Sequence, residues 1–199
     1  MEEKSYDQRR ERLLELVRSK RLKALQLELE EMNEFDIAEF ITELGEEDSL
    51  KMATVFRLLS KEHGAEVFAE LDAPEQQEII NSITDKELGE IVEDMYVDDA
   101  VDMMEELPAN IVKRVMRAAT PETRALINQY LKYPENSAGS IMTAEFVDLK
   151  KYMNVRESIA RIRRIGDDKE TIYVCYVTSA DRKLEGVVTV KDLLLSDDD

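Results

Sequence analysis

A twelve-residue beat of paired apolar residues constrains this chain more than any other feature. The pairs are Phe40-Ile41, Val55-Phe56, Val67-Phe68, Ile79-Ile80, Ile91-Val92, Met103-Met104 and Val115-Met116, and after a first interval of 15 residues every interval is 12. Three residues beyond each pair stands another apolar or small residue: Leu44, Leu59, Leu71, Ile83, Met95, Leu107 and Ala119. Apolar positions at i, i+1 and i+4 mark one stripe of a helix, whereas a strand alternates. Twelve residues hold about two and a half helical turns and a tight corner. Asp72-Ala73-Pro74, Leu107-Pro108 and Thr120-Pro121-Glu122 read as helix starts with proline near the first turn, and Thr84 with Glu87 as a capping box. Helices this short do not stand alone in water, so each must bury its stripe against neighbours. The methionines of the stripe (Met95, Met103, Met104, Met116) are core filler on this reading. Residues 1–132 are expected to form a right-handed, solenoid-like superhelix of short antiparallel helices.

The charge is segregated along the same stretch. The chain has 199 residues and a formal net charge of −18, yet Glu62 to Glu106 alone carries 16 acids against one base, Lys86, for a net of −15. Net acidity on this scale argues against a nucleic-acid partner and against an anionic membrane surface. A hydrophobic content of 43% is too high for a disordered acidic chain. One reading of the acidic run is a solvated helical face, the commoner origin of such runs. The other is a cation-binding surface, because crowded carboxylates repel one another unless something neutralises them. Asp98 and Asp102, four residues apart, share a helical face, with Asp94 and Asp99 beside it. Carboxylates without histidine or cysteine are hard oxygen ligands, suited to Mg²⁺ or Ca²⁺.

Other chemistry is scarce. A single cysteine, Cys175, excludes an internal disulfide and suits a reducing compartment, and a single histidine, His63, fits a capping or surface role. The charged N-terminus has no signal-peptide core, and no window reaches the apolar length of a membrane span. On these grounds the fragment is expected to be soluble, cytoplasmic and without direct membrane insertion. No nucleophile–base pair or glycine-rich phosphate loop is present, so it is not expected to be an enzyme.

Beyond residue 143 the pattern changes. Phe146 to Leu149 reads as a short strand and Val155 to Ile165 as an amphipathic helix. Ile172 to Thr178 reads as a strand buried on both faces, and Gly186 to Val190 as its return after a turn at Ser179 to Arg182. Lys191 to Leu195 opens a helix, and Cys175 is inert packing. Strand, helix, strand, strand and helix, closing with G-V-V-T-V-K-D-L, resembles a CBS motif. Such motifs work in pairs, so this sheet is expected to find its partner in another chain, giving a homodimer through CBS motifs, or to stay partly exposed. The resemblance also implies adenosine-nucleotide contacts at Thr189 and Asp192, with capping of the last helix as the equal alternative for Asp192.

An acidic helical repeat, the junction Tyr133 to Thr143 (YPENSAGSIMT) and a CBS motif together resemble the cytosolic N-terminal region of the MgtE family of magnesium transporters, and Val97 to Asp102 (VDDAVD) matches the family's acidic helix. The fold class implied is mainly α with an α+β C-terminal part. It comprises an acidic helical domain at 1–132, a linker at 133–143 and a first CBS motif at 144–199, with the second motif, connecting helix and pore absent. The resemblance implies a Mg²⁺-sensing regulatory region at the cytoplasmic face of the cell membrane. It would gate its own transmembrane domain through magnesium-dependent closure of acidic domains. Ligands carried over are Glu66, Asp98 and Asp102, with Asp99 and Asp94 as outer contributors and a further site at the tail, Ser196 and Asp197 through Asp199. Mn²⁺ or Ca²⁺ could substitute for Mg²⁺, and ATP is a second ligand at the CBS motif.

Magnitudes favour several sites over one. A millimolar site contributes about 4 kcal/mol, while reversing a two-state equilibrium needs about 5.5 kcal/mol of differential binding. Two other readings stand beside this one: a helical interaction module like that of flagellar motor switch proteins, and a nucleotide-sensing CBS module.

Overall fold

In the computed structural model, which describes residues 2–134 and 136–197, the repeat becomes helices: α1 (Glu2–Arg18), α2 (Leu22–Leu29), α3 (Glu34–Glu47), α4 (Ser49–Phe56), α5 (Lys61–Ala69), α6 (Ala73–Ser82), α7 (Asp85–Asp94), α8 (Val97–Glu106), α9 (Ala109–Ala118) and α10 (Pro121–Tyr130). The paired positions are its interior. Phe40, Ile41, Val67, Phe68, Ile79 and Ile80 are wholly buried, Met95, Met103 and Met104 lie in the core, and Met116 alone of the pairs keeps partial exposure. A pair plus its i+4 partner makes a stripe wide enough to touch neighbours on two sides. Accordingly α5 packs on both α3 and α7, α7 on α9, and α4 on both α3 and α6. Gly89 lets α7 lie close on α9, because a Cβ there would stand 2.9 Å from the Ala118 carbonyl oxygen.

Corners are fixed by capping. Thr84 and Glu87 form the reciprocal box, with Thr84 N–H donating to Glu87 Oε2 at 2.7 Å and Glu87 N–H to Thr84 Oγ1 at 3.2 Å. Thr120 caps α10 with Pro121 in its first turn, and Asp72 precedes α6 with proline in its first turn. At α9 the expectation needs a correction: Pro108 is the N-cap itself, outside the helix. The corner between α6 and α7 is clamped from two sides. Arg114 of α9 donates to the Ile80 carbonyl, to the Ile83 carbonyl at 2.7 Å and to Asp85 at 2.7 Å; Arg57 donates to the Ser82 carbonyl and to Glu87 at 3.3 Å. Cations at the carbonyl end of α6 complement its dipole.

The chain divides into two compact units, Met1–Met95 with Asp99–Pro134, and Tyr96–Asp98 with Glu135–Asp199. In the second, β1 (Phe146–Lys150) lies parallel to β2 (Thr171–Thr178), and β3 (Leu184–Thr189) runs antiparallel on the other side, giving the order β1-β2-β3. The crossover helix α11 (Val155–Ile165) and the closing helix α12 (Val190–Leu195) follow the order of a CBS motif. Val147, Leu149, Ile162, Cys175 and Leu193 form the core, and burial raises the Cys175 thiol above its ordinary range, which keeps it inert.

One expectation fails here. The apolar run at 172–178 is not buried on both faces: Cys175 is enclosed, while Tyr173 is 78% exposed and Val174 and Tyr176 are each 38% exposed. Val174 and Tyr176 pair with Thr189 and Val187 of β3, while the register of β1 on β2 shifts between Phe146 and Asp148. They share a face on which Phe146 meets the Tyr176 ring edge-on at 5.3 Å. A continuous apolar run also arises when a sheet leaves one apolar face uncovered, and this sheet does so.

Candidate cation site

Acids concentrate where α7 ends and α5 packs against it. Glu90, Glu93 and Asp94 lie toward the C-terminal end of α7, whose last turn has no base. The helix dipole disfavours negative charge there. Glu93 has a local purpose, since Thr120 N–H and Thr123 Oγ1 each donate to it at 2.7 Å and so tie α7 to the start of α10. Glu90 accepts Lys61 at 3.1 Å and Lys86 at 3.5 Å, which lowers its carboxyl. Asp94 is held differently. Its side chain reaches solvent, but packing strips part of its hydration and Glu62 of α5 faces it. Glu90 and Glu93 add to this and Lys61 only partly opposes it, so its carboxyl is held above the usual aspartate range.

The other residues expected from sequence lie on α5 and α8. Glu66 is exposed on α5, four residues after Glu62 and on its face. Asp98 and Asp99 are half-buried in the first turn of α8, where the dipole favours acids, and Asp102 is exposed one turn on. Among the described residues no three acids, histidines or cysteines converge in a way that could hold a metal ion. What this donor set can do is narrower: offer hard oxygens singly or in pairs to an ion that keeps much of its water, the habit of Mg²⁺. Sequence reasoning missed Glu62 and Glu90. Their signal was the pair of i,i+4 acid couples, Glu62 with Glu66 and Glu90 with Asp94, on two helices that pack together. His63 is half-buried, and its N–H is capped by Ser60 Oγ at 3.3 Å.

In the second unit Thr189 and Asp192 face each other in a capping box at the start of α12. Thr189 Oγ1 donates to Asp192 Oδ2 at 2.6 Å, and the two backbone N–H groups complete the box at 3.1 Å each. These bonds from Thr189, with Lys191 nearby, lower the Asp192 carboxyl. Ser196 Oγ donates to the Asp192 carbonyl at 2.7 Å and Asp197 is exposed; Asp198 and Asp199 lie outside the described residues. Among the described residues no helix is long and apolar enough to cross a membrane.

Comparison with known proteins fits this architecture. A family model described as the MgtE intracellular N domain matches residues 32–136. The chain is 34% identical to the magnesium transporter MgtE of Thermus thermophilus over 179 residues, covering 88% of this chain and 39% of that protein. It is 20% identical to the Bacillus subtilis magnesium transporter MgtE, covering 97% of this chain and 42% of that one. The chain thus spans about two fifths of the length of these relatives. A crystal structure of the soluble part of a magnesium transporter matches with a TM-score of 0.89 at 23% identity, over 98% of this chain and 75% of that one; it shows the fold. A crystal structure of the cytosolic domain of the Mg²⁺ channel MgtE in complex with ATP matches with a TM-score of 0.80 at 32% identity, over 94% and 75%. With its N-domain repeat matched over more than half its length, the chain belongs to the MgtE family.

Proposed function

We propose that this chain is a magnesium-sensing regulatory region that works on the cytoplasmic side of a membrane transporter. Its acidic helices would respond to Mg²⁺ by closing, and through the intact protein's transmembrane domain would hold the pore shut. The domain limits carried by this reading are 1–132, 133–143 and 144–199, with pairing of CBS motifs between two copies. One observation carries it: Asp94 stands at a helix end with no base, partly stripped of water, with the like charges of Glu62, Glu90 and Glu93 around it. Lys61 offsets that crowding only in part, whereas a bound divalent cation would relieve it.

Glu62, Glu66 and Asp94 on the α5–α7 face, and Asp98, Asp99 and Asp102 on α8, would each offer carboxylates singly or in pairs to an ion that keeps much of its water. Bound Mg²⁺ supplies positive charge where these carboxylates crowd. In its absence their mutual repulsion works against close approach of acidic surfaces, and several weak sites together reach what one cannot.

The test is thermal melting during a Mg²⁺ titration. At ten times the dissociation constant a single site adds about 1.4 kcal/mol, or about 3–6 °C for a chain of this size. Asp94→Asn should raise the melting temperature without Mg²⁺ and shrink the response to it; Asp98→Ala with Asp102→Ala should shrink the response further. An unchanged response in both variants removes the site.

The solved relative in complex with ATP supports a nucleotide as a second ligand, and the CBS-like capping box at Thr189 and Asp192 is the place we propose for it. There the capping box would have to open or share its hydroxyl with a ribose. Calorimetry with ATP on wild type and Asp192→Ala tests it.

A further inference from the structure

Net charge hides a basic corner. Between Arg9 and Lys23 the sequence carries seven bases and two acids, a net of +5 in a chain of −18. Arg10 and Arg12 are spent on Glu43 and Glu28. Arg18, Lys20, Arg21 and Lys23, at the turn from α1 to α2, are all exposed and make no ion pair among the described residues.

Local folding does not account for them. The dipole at the end of α1 welcomes Arg18, but Arg21 is the N-cap of α2 and makes no side-chain cap, and Lys23 sits in the first turn. Helix starts favour acids and caps, and α2 has no acid in its first turn. Lys20 closes the corner in the left-handed region, φ 54°, its N–H donating to the Val17 carbonyl at 3.1 Å and that of Arg21 to the Leu16 carbonyl at 3.0 Å. Glycine is the low-cost residue at such a helix end. The corner therefore holds bases at three positions where helix physics prefers something else. Apolar side chains flank them: Leu22 is 40% exposed and Leu27 57%.

We propose that the α1–α2 corner is a docking surface for anionic phospholipid headgroups. Clustered lysine and arginine beside exposed leucine is the composition that the interface of an acidic bilayer takes up. Leucine beside the bases suits the acyl boundary under a headgroup layer, which favours a bilayer surface over a purely acidic protein patch. The acids of Glu62 to Glu106 lie on other helices, α5 to α8, and at physiological ionic strength screening confines their influence to a range of about 8 Å. This inference stands apart from the cation reading, and either can fail alone.

The experiment is flotation of the full chain with vesicles of phosphatidylcholine alone and of phosphatidylcholine with phosphatidylserine, at ionic strengths of about 0.1 M and about 1 M. Binding is expected to the phosphatidylserine vesicles only, and to vanish at the higher salt. Lys20→Glu with Arg21→Glu should weaken it at least about tenfold, while circular dichroism shows an unchanged melt. Absence of flotation, equal flotation on phosphatidylcholine alone, or retention in the charge-reversed variant overturns the proposal. So does binding by the same corner to RNA, to inorganic phosphate or to a second copy of the chain when the vesicles are ignored.

Discussion

The helical repeat and the three-stranded unit are built from equally apolar sequences, yet they finish their cores differently. In the repeat, the apolar pairs are buried except for Met116, and next-but-one helices cover one another, α3 with α5, α5 with α7, α7 with α9 and α4 with α6. In the second unit, α11 and α12 cover one side of the sheet, and the other side keeps Phe146, Val174, Tyr176 and Val187 at least 36% exposed. A helix stripe about a third of a turn wide is satisfied by neighbours of the same kind. A sheet has two faces and needs a layer for each. The difference teaches that one unit encloses its apolar stripes with its own helices, while the other leaves an apolar sheet face open.

Truncation of a core side chain in each unit measures that difference most directly. Phe68→Ala, at a wholly buried position, should cost about 4 kcal/mol by urea denaturation followed through helical circular dichroism. Tyr176→Ala should cost about 1 kcal/mol, chiefly its edge-on contact with Phe146. A Tyr176 cost that approaches that of Phe68 and grows with protein concentration would mean the open face is covered in solution by a second copy.

Next in size is the clamp. Arg114→Ala strips the Ile80 and Ile83 carbonyls and Asp85 of their donor, and should cost about 2–3 kcal/mol. Arg114→Lys should recover only part of it, because an ammonium cannot reproduce the fork. A full recovery would reduce the clamp to a charge effect.

What the sequence revealed follows the range of the physics involved. The stripe, the Thr84–Glu87 box and the α11 limits are local, set by residues three or four apart, and all were readable. The Thr189–Asp192 box was readable for the same reason, as one of two alternatives. Arg57 and Arg114 were not: each reaches the α6–α7 corner from another helix, and nothing near them in sequence marks the target. Asp94 was noticed among its neighbours, but its pairing with Glu62 depends on α5 lying against α7. The run at 172–178 was misread because strand burial depends on what covers a sheet, and apolar character alone does not specify that.

The smallest effect is the most discriminating, because it pairs one aspartate from each unit with opposite sign. Asp94 has its carboxyl held above the ordinary value, by desolvation first and Glu62 second. The folded state therefore takes up its proton before the unfolded chain does. The stability this group contributes is present at acid pH and is lost as pH rises through the raised folded value. At Asp148, burial alone would raise the carboxyl, but hydrogen bonds from Lys150 and Arg161 and their charges outweigh it, and the net shift is downward. Its contribution is present above the ordinary aspartate value of about 3.9 and is lost as pH falls through the lowered folded value. Denaturation midpoints from neutral pH downward should therefore move in opposite directions in the two neutral variants. Asp94→Asn gains stability at neutral pH and loses that advantage toward acid, while Asp148→Asn loses stability at neutral pH and converges with wild type below about pH 3.9. Because Mg²⁺ would relieve the same repulsion that protonation relieves, adding it should flatten the Asp94 difference and leave the Asp148 difference untouched; equal flattening of both would reduce the effect to ionic screening and detach it from the acidic helices.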